Sequence, residues 1–198
     1  LTGAVRRDAG STFGRANPVY YYPKASIAYN ISKESIMKYL KNAIDEFKLR
    51  FAWGKAGRIP DWYASNTTYT TKGYFDPWGR TTGAHRIGQV GIINDPVLGT
   101  ENIKPEQTEE YETGFDASFL DHRISVEFNF YKQYVTNLLL YINLPTSTGF
   151  NQQYKNAGEM WNRGIELKLE ANPFRSKDFN WVITANYAKN QNEVTKLE

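Results

Sequence analysis

Three groups of side chains in this sequence have the types and spacing that chemistry uses. The first is carboxylate: Glu110, Glu112 and Asp116 share one face of an alternating run, and Glu127 and Glu166 occupy polar positions of two later runs. Two carboxylates flanking a bond are the raw material of glycoside hydrolysis. Neighbours on one strand face project in parallel and do not flank anything, so a polar wall explains them equally well, with Lys168 and Arg123 available as partners. The second group is histidine. His85 and His122 are the only two, neither has a partner at helix or strand spacing, and both read as surface residues, not metal ligands. The third group is aromatic: Trp62, Tyr63, Tyr69, Tyr74, Phe75 and Trp78 alternate with Asp61, Lys72, Asp76, Arg80 and Arg86. Flat rings stack on the apolar faces of sugars, and charged groups take hydroxyls; a peptide would suit the same surface. We therefore expect Trp62, Tyr63, Tyr69, Tyr74, Trp78, Arg80 and Arg86 to meet substrate, while the alternative is that these rings fold their own segment or pack on a partner. There is no nucleophile elbow, P-loop or dinucleotide glycine pattern, and no cysteine, so nothing here argues for an enzyme, a cofactor or a metal.

Those side chains need elements to position them, and the elements are strands. From Arg123 to Tyr131, Ile124, Val126, Phe128 and Phe130 oppose Ser125, Glu127, Asn129 and Tyr131, a period of two that marks a half-apolar strand. Glu110 to Phe119, Gly164 to Glu170, Lys48 to Trp53 and Asn180 to Tyr187 repeat it. Further strands are expected at Leu1 to Arg7 and at Tyr20 to Ile31, the second bounded or interrupted by Pro18 and Pro23. The total is about seven. Connections alternate in length. Leu120 to Arg123 and Pro173 to Asp178 are tight turns, whereas Asp8 to Asn17, Tyr141 to Ala157 and above all Gly54 to Pro105 are long, the last at roughly fifty residues. One link departs from this pattern: Ser32 to Glu46 carries Ile36, Tyr39, Leu40, Ala43 and Phe47 at helical spacing, predicting a short helix on the tight-turn side.

Composition decides between the architectures that such strands can build. Of the 198 residues, 15% are aromatic and 23% charged, and the net charge of +3 is not the basic footprint of a nucleic-acid binder. Mean hydropathy is −0.61, and no apolar run is long enough for a membrane helix. A β-barrel escapes that test, because only alternate residues face lipid. An antiparallel sandwich has the same alternation, so a secreted carbohydrate-binding sandwich is the competing reading. Strands of about nine or more residues, long links on one side only, and the aromatics Trp53, Tyr134, Trp161, Trp181 and Tyr187 near strand ends favour the barrel. Seven strands leave open edges that lipid does not tolerate, so the chain reads as a portion of a larger barrel. On that reading Glu110, Glu112, Asp116, Glu127, Glu166 and Lys168 face the lumen.

Ordered motifs carry a more specific likeness. Asn102-Ile103-Lys104-Pro105-Glu106-Gln107-Thr108, followed by Tyr111-Glu112-Thr113-Gly114-Phe115-Asp116, resembles the entry into a late barrel strand of TonB-dependent receptors. Tyr131-Lys132, Val135-Thr136-Asn137-Leu138-Leu139, Leu144-Pro145, Gly149, Asn156-Ala157-Gly158 and Asn162-Arg163-Gly164-Ile165-Glu166 resemble the closing portion of the SusC/RagA-type transporters in order and spacing. Phe179-Asn180-Trp181, the run from Asn190 to Leu197, Arg6-Arg7-Asp8 and Lys48 to Gly54 extend the likeness across most of residues 1–198. Lys55-Ala56-Gly57-Arg58 departs from it, where Thr before the glycine and Asn after it are expected, and Ile59 to Thr100 is undiagnostic. The resemblance implies an all-β fold: a partial antiparallel transmembrane β-barrel, part of a barrel of about 22 strands with a plug in its lumen, in the bacterial outer membrane. It also implies TonB-dependent import of an oligosaccharide or peptide beneath a SusD-like surface lipoprotein. The plug, the remaining strands and the TonB-contacting segment are not among these residues, and no cofactor is implied.

Overall fold

In the computed structural model the described residues are 1–13, 19–34, 43–70 and 93–197, with short paired segments between 74 and 90; for 70–94 only the backbone is described. Three long strands come first: β1 (Thr2–Ala9), β2 (Val19–Asn30) and β3 (Ile44–Arg58). Seven two-residue strands follow: β4 (Tyr69–Thr70), β5 (Tyr74–Phe75), β6 (Thr81–Thr82), β7 (His85–Arg86), β8 (Gln89–Val90), β9 (Ile93–Asn94) and β10 (Val97–Leu98). Four long strands complete the chain: β11 (Glu106–Phe119), β12 (Ile124–Asn143), β13 (Gln152–Arg175) and β14 (Asn180–Leu197). The seven expected strands are these seven long ones; β1 and β2 fall within a residue or two of expectation, and β3 and β11 to β14 run beyond their alternating cores. They form one antiparallel sheet in the order β1-β2-β3-β11-β12-β13-β14, with β10 added parallel to the far end of β13. Among the described residues no second sheet covers the apolar face, so the sandwich arrangement is absent.

Register explains why one face is apolar throughout. Directly opposed residues of an antiparallel pair point the same way. Ile27, Phe51, Thr113, Phe130 and Ile165 form one row across five strands, and Tyr29, Leu49, Phe115, Phe128, Leu167 and Tyr187 another. Phe47, Phe115 and Phe128 run as a ring ladder, with centroids 5.8 and 5.6 Å apart. Cross-strand aromatic contacts of this kind add stability beyond their buried area. Yet Ile27 is 49% exposed and Leu49 42%, because nothing among the described residues covers them. An apolar surface this continuous is left bare only where something other than water meets it.

Two expectations are corrected. The helix predicted over Ser32 to Glu46 fails at both described ends: Ile31–Lys33 is a single 3₁₀ turn, Glu34 is already extended, and β3 takes Ile44, Asp45 and Glu46. The Asn30 side chain accepts from Ser32 N at 3.1 Å and caps this single turn, which ends at the extended Glu34, and Ile44 pairs with Phe119 of β11. Residues 35–42 lie outside the described ones. The link expected from Tyr141 to Ala157 is much shorter, only 144–151, because β12 and β13 continue pairing to Asn143 and Gln152. Register shifts around Val135, Leu138 and Leu139, with Asn137 at φ +57°, break the parity that alternation relies on. The turn is closed by Leu144 N donating to Asn151 O at 2.9 Å and by Gly149 at φ +80°.

Candidate functional site

The polar face is built by the same register, one residue out of phase. Lys48 and Arg50 on β3 stand beside Asp116 and Gly114 on β11, and these beside Glu127 and Asn129 on β12. Gly114 has no side chain, and a Cβ there would lie 2.3 Å from Phe128 O and 2.5 Å from Asn129 Oδ1. Through that gap Arg50 spans two strands. Its Nη2 donates to Asn129 Oδ1 at 2.9 Å, and it pairs with Asp116 at 2.8 Å and Glu127 at 3.4 Å. Lys48 meets Asp116 at 3.6 Å and Lys168 meets Glu170 at 3.8 Å. Glu127 thus pairs with Arg50, while Lys168, directly opposite it in register, has its ion pair with Glu170 among the described residues. Glu110 accepts from Gln133 Nε2 at 3.4 Å, Glu112 stands beside Tyr131, and Glu166 beside Asn129. All six residues expected on a polar wall, Glu110, Glu112, Asp116, Glu127, Glu166 and Lys168, occupy this face. Asp116 stands directly opposite Glu127, and Arg50 lies between the two carboxylates and pairs with both.

The outward face changes character toward the long-link end. Lys55 and Glu109, paired at 3.3 Å, share a row with Tyr134 and Trp161. Trp53 Nε1 donates to Glu109 at 2.9 Å and Tyr111 Oη to the same carboxylate at 2.8 Å. At the tight-turn end Phe174 stacks on Trp181 with centroids 5.9 Å apart. The apolar rows therefore lie between two aromatic girdles, the pattern that amphipathic rings make at the two borders of a bilayer.

Beyond the girdle at the long-link end, the described stretches 59–68 and 95–105 fold onto the ends of β12 and β13. Ile103, buried, packs with Leu139 and Tyr154 and is flanked by Ala64 and Val97. Asn156 fastens it: Lys104 N donates to its Oδ1 at 2.8 Å, and its Nδ2 donates to Lys104 O and Asn137 O, each at 2.8 Å. Two sequence motifs that stand far apart in the chain, Asn102 to Pro105 and Asn156 to Gly158, thus meet in space. Next to this clamp is a hollow of about 210 Å³ walled by Trp62, Tyr63, Tyr141 and Tyr154, with Asp61 and Asp95 at its edge. Trp62 is 85% exposed, and Tyr63 holds φ +61°, a left-handed conformation that a bulky residue adopts only when its surroundings impose it. Burial, and then the Asp61 carboxylate, raise the Tyr141 and Tyr154 hydroxyls above the ordinary tyrosine range, so both remain protonated donors at neutral pH.

Among the described side chains of the loop residues expected to bind substrate, Trp62 and Tyr63 come together here. Tyr69 is exposed on β4, apart from the hollow. Tyr74 and Arg86 have described backbones in two-residue hairpins but no described side chains, and Trp78 and Arg80 lie outside the described residues. Sequence reasoning missed Arg50, Gly114, Asn156, Tyr141 and Tyr154. Arg50 was legible as a polar position of its alternating run; Tyr141 and Tyr154 were hidden inside what read as a loop.

Residues 1–196 match the family described as TonB dependent receptor-like, beta-barrel. TonB-dependent receptor SusC of Bacteroides thetaiotaomicron is 31% identical over 202 residues, which is 100% of this chain and 19% of SusC. TonB-dependent receptor P3 of Formosa agariphila is 29% identical over 197 residues, again 100% of this chain and 19% of the relative. The chain thus spans about a fifth of the length of the curated relatives it matches. Among solved structures, the RagAB peptide transporter superposes with a TM-score of 0.80 at 25% identity, covering 98% of this chain and 20% of that one. The siderophore receptor PirA of Pseudomonas aeruginosa, at TM-score 0.55 and 18% identity, shares the fold. A single antiparallel sheet with one bare apolar face between aromatic girdles, one ion-paired polar face, and family motifs in register along its length identifies the chain as a member of the TonB-dependent receptor β-barrel family, of the SusC and RagA kind, in the bacterial outer membrane.

Proposed function

We propose that residues 1–198 are a portion of the barrel domain of an active importer that carries an oligosaccharide or a peptide across the outer membrane. The observation that carries this reading is the two-faced sheet: bare apolar rows on one side suit lipid, and the Arg50 network on the other suits a hydrated lumen, where Glu110, Glu112, Asp116, Glu127, Glu166 and Lys168 form part of the wall. Further strands joined to the free edges of β1 and β14 close the barrel, since unpaired backbone in hydrocarbon costs several kcal/mol per group. A plug fills that lumen, and TonB moves it through a segment elsewhere in the protein, recognised by strand addition. A SusD-like surface lipoprotein caps the long-link side. The rim hollow contributes one ring-stacking subsite, with room for a single sugar or side chain and not for a whole oligomer.

The test uses the full-length transporter in its own cells. Loss of TonB abolishes uptake, and Trp62→Ala with Tyr141→Ala weakens substrate binding by about 1–2 kcal/mol while surface expression is unchanged. Uptake that survives without TonB overturns the reading of active import. Unchanged binding by the double variant removes the rim hollow from the substrate path and leaves the barrel assignment standing.

A further inference from the structure

Outside the Lys55–Glu109 pair, three cations of the outward face differ from those of the Arg50 network. On the polar face Lys48, Arg50 and Lys168 each have a carboxylate within 4 Å. On the outward face Lys132 of β12, Arg163 of β13 and Lys189 of β14 have none among the described residues. Register puts Lys132 directly opposite Arg163, and Arg163 directly opposite Gln191. Lys189 stands one row toward the apolar band, opposite Ile165. Like charges directly opposed on neighbouring strands destabilise a sheet unless something lies between them. The nearest acidic neighbours in register do not fill that role: Glu109 is held by Lys55, Trp53 and Tyr111, and Glu193 stands opposite Trp161 without an ion pair.

The head groups are also aimed. Lys132 Nζ rests 4.8 Å from the Tyr134 ring centre and Arg163 Cζ 5.0 Å from that of Trp161, rings of the girdle row just beyond them. Both cations therefore turn away from the apolar rows toward the membrane border on the long-link side. Arg163 Nη2 donates to Gln191 Oε1 at 2.8 Å, which fixes one edge of its guanidinium and leaves the other edge free to donate.

We propose that Lys132, Arg163 and Lys189 form a site on the outer wall of the barrel for the phosphate of a glycolipid in the outer leaflet. A phosphate between Lys132 and Arg163 removes their repulsion and accepts charge-assisted hydrogen bonds from both, while its acyl chains lie along Phe130, Ile165 and Leu167 below. The site rests on the outer-membrane placement of the sheet and is independent of what the protein imports.

The experiment reads lipid binding, not transport. Full-length protein is placed in nanodiscs of zwitterionic phospholipid and titrated with phosphorylated lipid A or with the same lipid enzymatically dephosphorylated. The wild type is expected to prefer the phosphorylated form, and the preference to fall by about fivefold for each cation removed in the series Arg163→Gln, then Lys132→Gln and Lys189→Gln added. Lys24→Gln, in the polar-face row of Gly54 and Glu110, leaves it unchanged. Heat-modifiable migration on a gel establishes that each variant is folded; if the triple variant is not, the single Arg163→Gln still decides. A wild type without preference, a variant series that retains it, or displacement of the lipid by millimolar inorganic phosphate overturns the proposal.

Discussion

At the scale of single residues, Gly114 and Leu120 carry opposite lessons about backbone and space. Gly114 is where Arg50 and Asn129 meet over a missing side chain, and the atom a Cβ would strike first is a backbone carbonyl, which cannot swing aside. Gly114→Val should destabilise the barrel by about 1–3 kcal/mol, and should separate Arg50 from Glu127 and Asn129. Midpoints of heat-modifiability measured against temperature would check it. In the tight turn after β11, Leu120, Asp121 and His122 all take left-handed φ of 56–57°, and none is glycine. A leucine there costs roughly 1–2 kcal/mol against its preferred backbone. Leu120→Gly should recover about 1 kcal/mol, raising the same midpoint; a lowered midpoint would mean that the side chain contributes contacts outweighing the strain.

At the scale of elements, the clamp at Asn156 ties the stretch leading into β11 to the ends of β12 and β13. Its three hydrogen bonds join Lys104, Asn137 and β13, and the buried Ile103 follows from them. Removing them with Asn156→Ala should loosen 97–106 locally by about 1–3 kcal/mol. Hydrogen exchange of the amides around Ile103 is the measurement, with β11 amides from Tyr111 onward expected to stay protected. The strands themselves were legible because alternation is a direct consequence of one apolar and one polar neighbour per strand. Their ends were not. β12 runs on to Asn143 past a parity break at Asn137, and β13 begins at Gln152 although Gln152 to Ala157 has no clean alternation. Both extensions are held by backbone pairing and by the Tyr141–Tyr154 contact, with centroids 4.7 Å apart, which only folding reveals.

At the scale of the whole molecule, the two faces place the sheet in its membrane. The long-link end carries the Trp53, Tyr111, Tyr134 and Trp161 girdle, and the tight-turn end carries Phe174 and Trp181. Apolar rows between them span about eight to eleven residues per strand, which at about 3.3 Å per residue and a tilt near 40° approaches the ~25 Å apolar band of an outer-membrane barrel. The full-length protein should therefore remain in the membrane fraction after high-salt washing. It should need detergent for extraction and migrate faster on a gel when unheated than when boiled. Release by salt alone would contradict a wall that faces lipid.

The sequence by itself determined the number of long strands, the facing of each alternating run and the family, because these rest on local periodicity and on motifs read in order. It also marked the long segment as the place where aromatics gather. Only the tertiary structure decided which polar residues meet: that Arg50 reaches across Gly114 to Glu127, that Asn102 to Pro105 docks on Asn156, and that Lys132 stands opposite Arg163. The reason is register. Alternation fixes which face a residue is on, whereas the sliding of one strand against the next, and the bulges that interrupt it, fix its neighbours. The helix expected over Ser32 to Glu46 loses its described C-terminal end for the same reason, since Ile44 finds a partner in β11 that no local pattern announces.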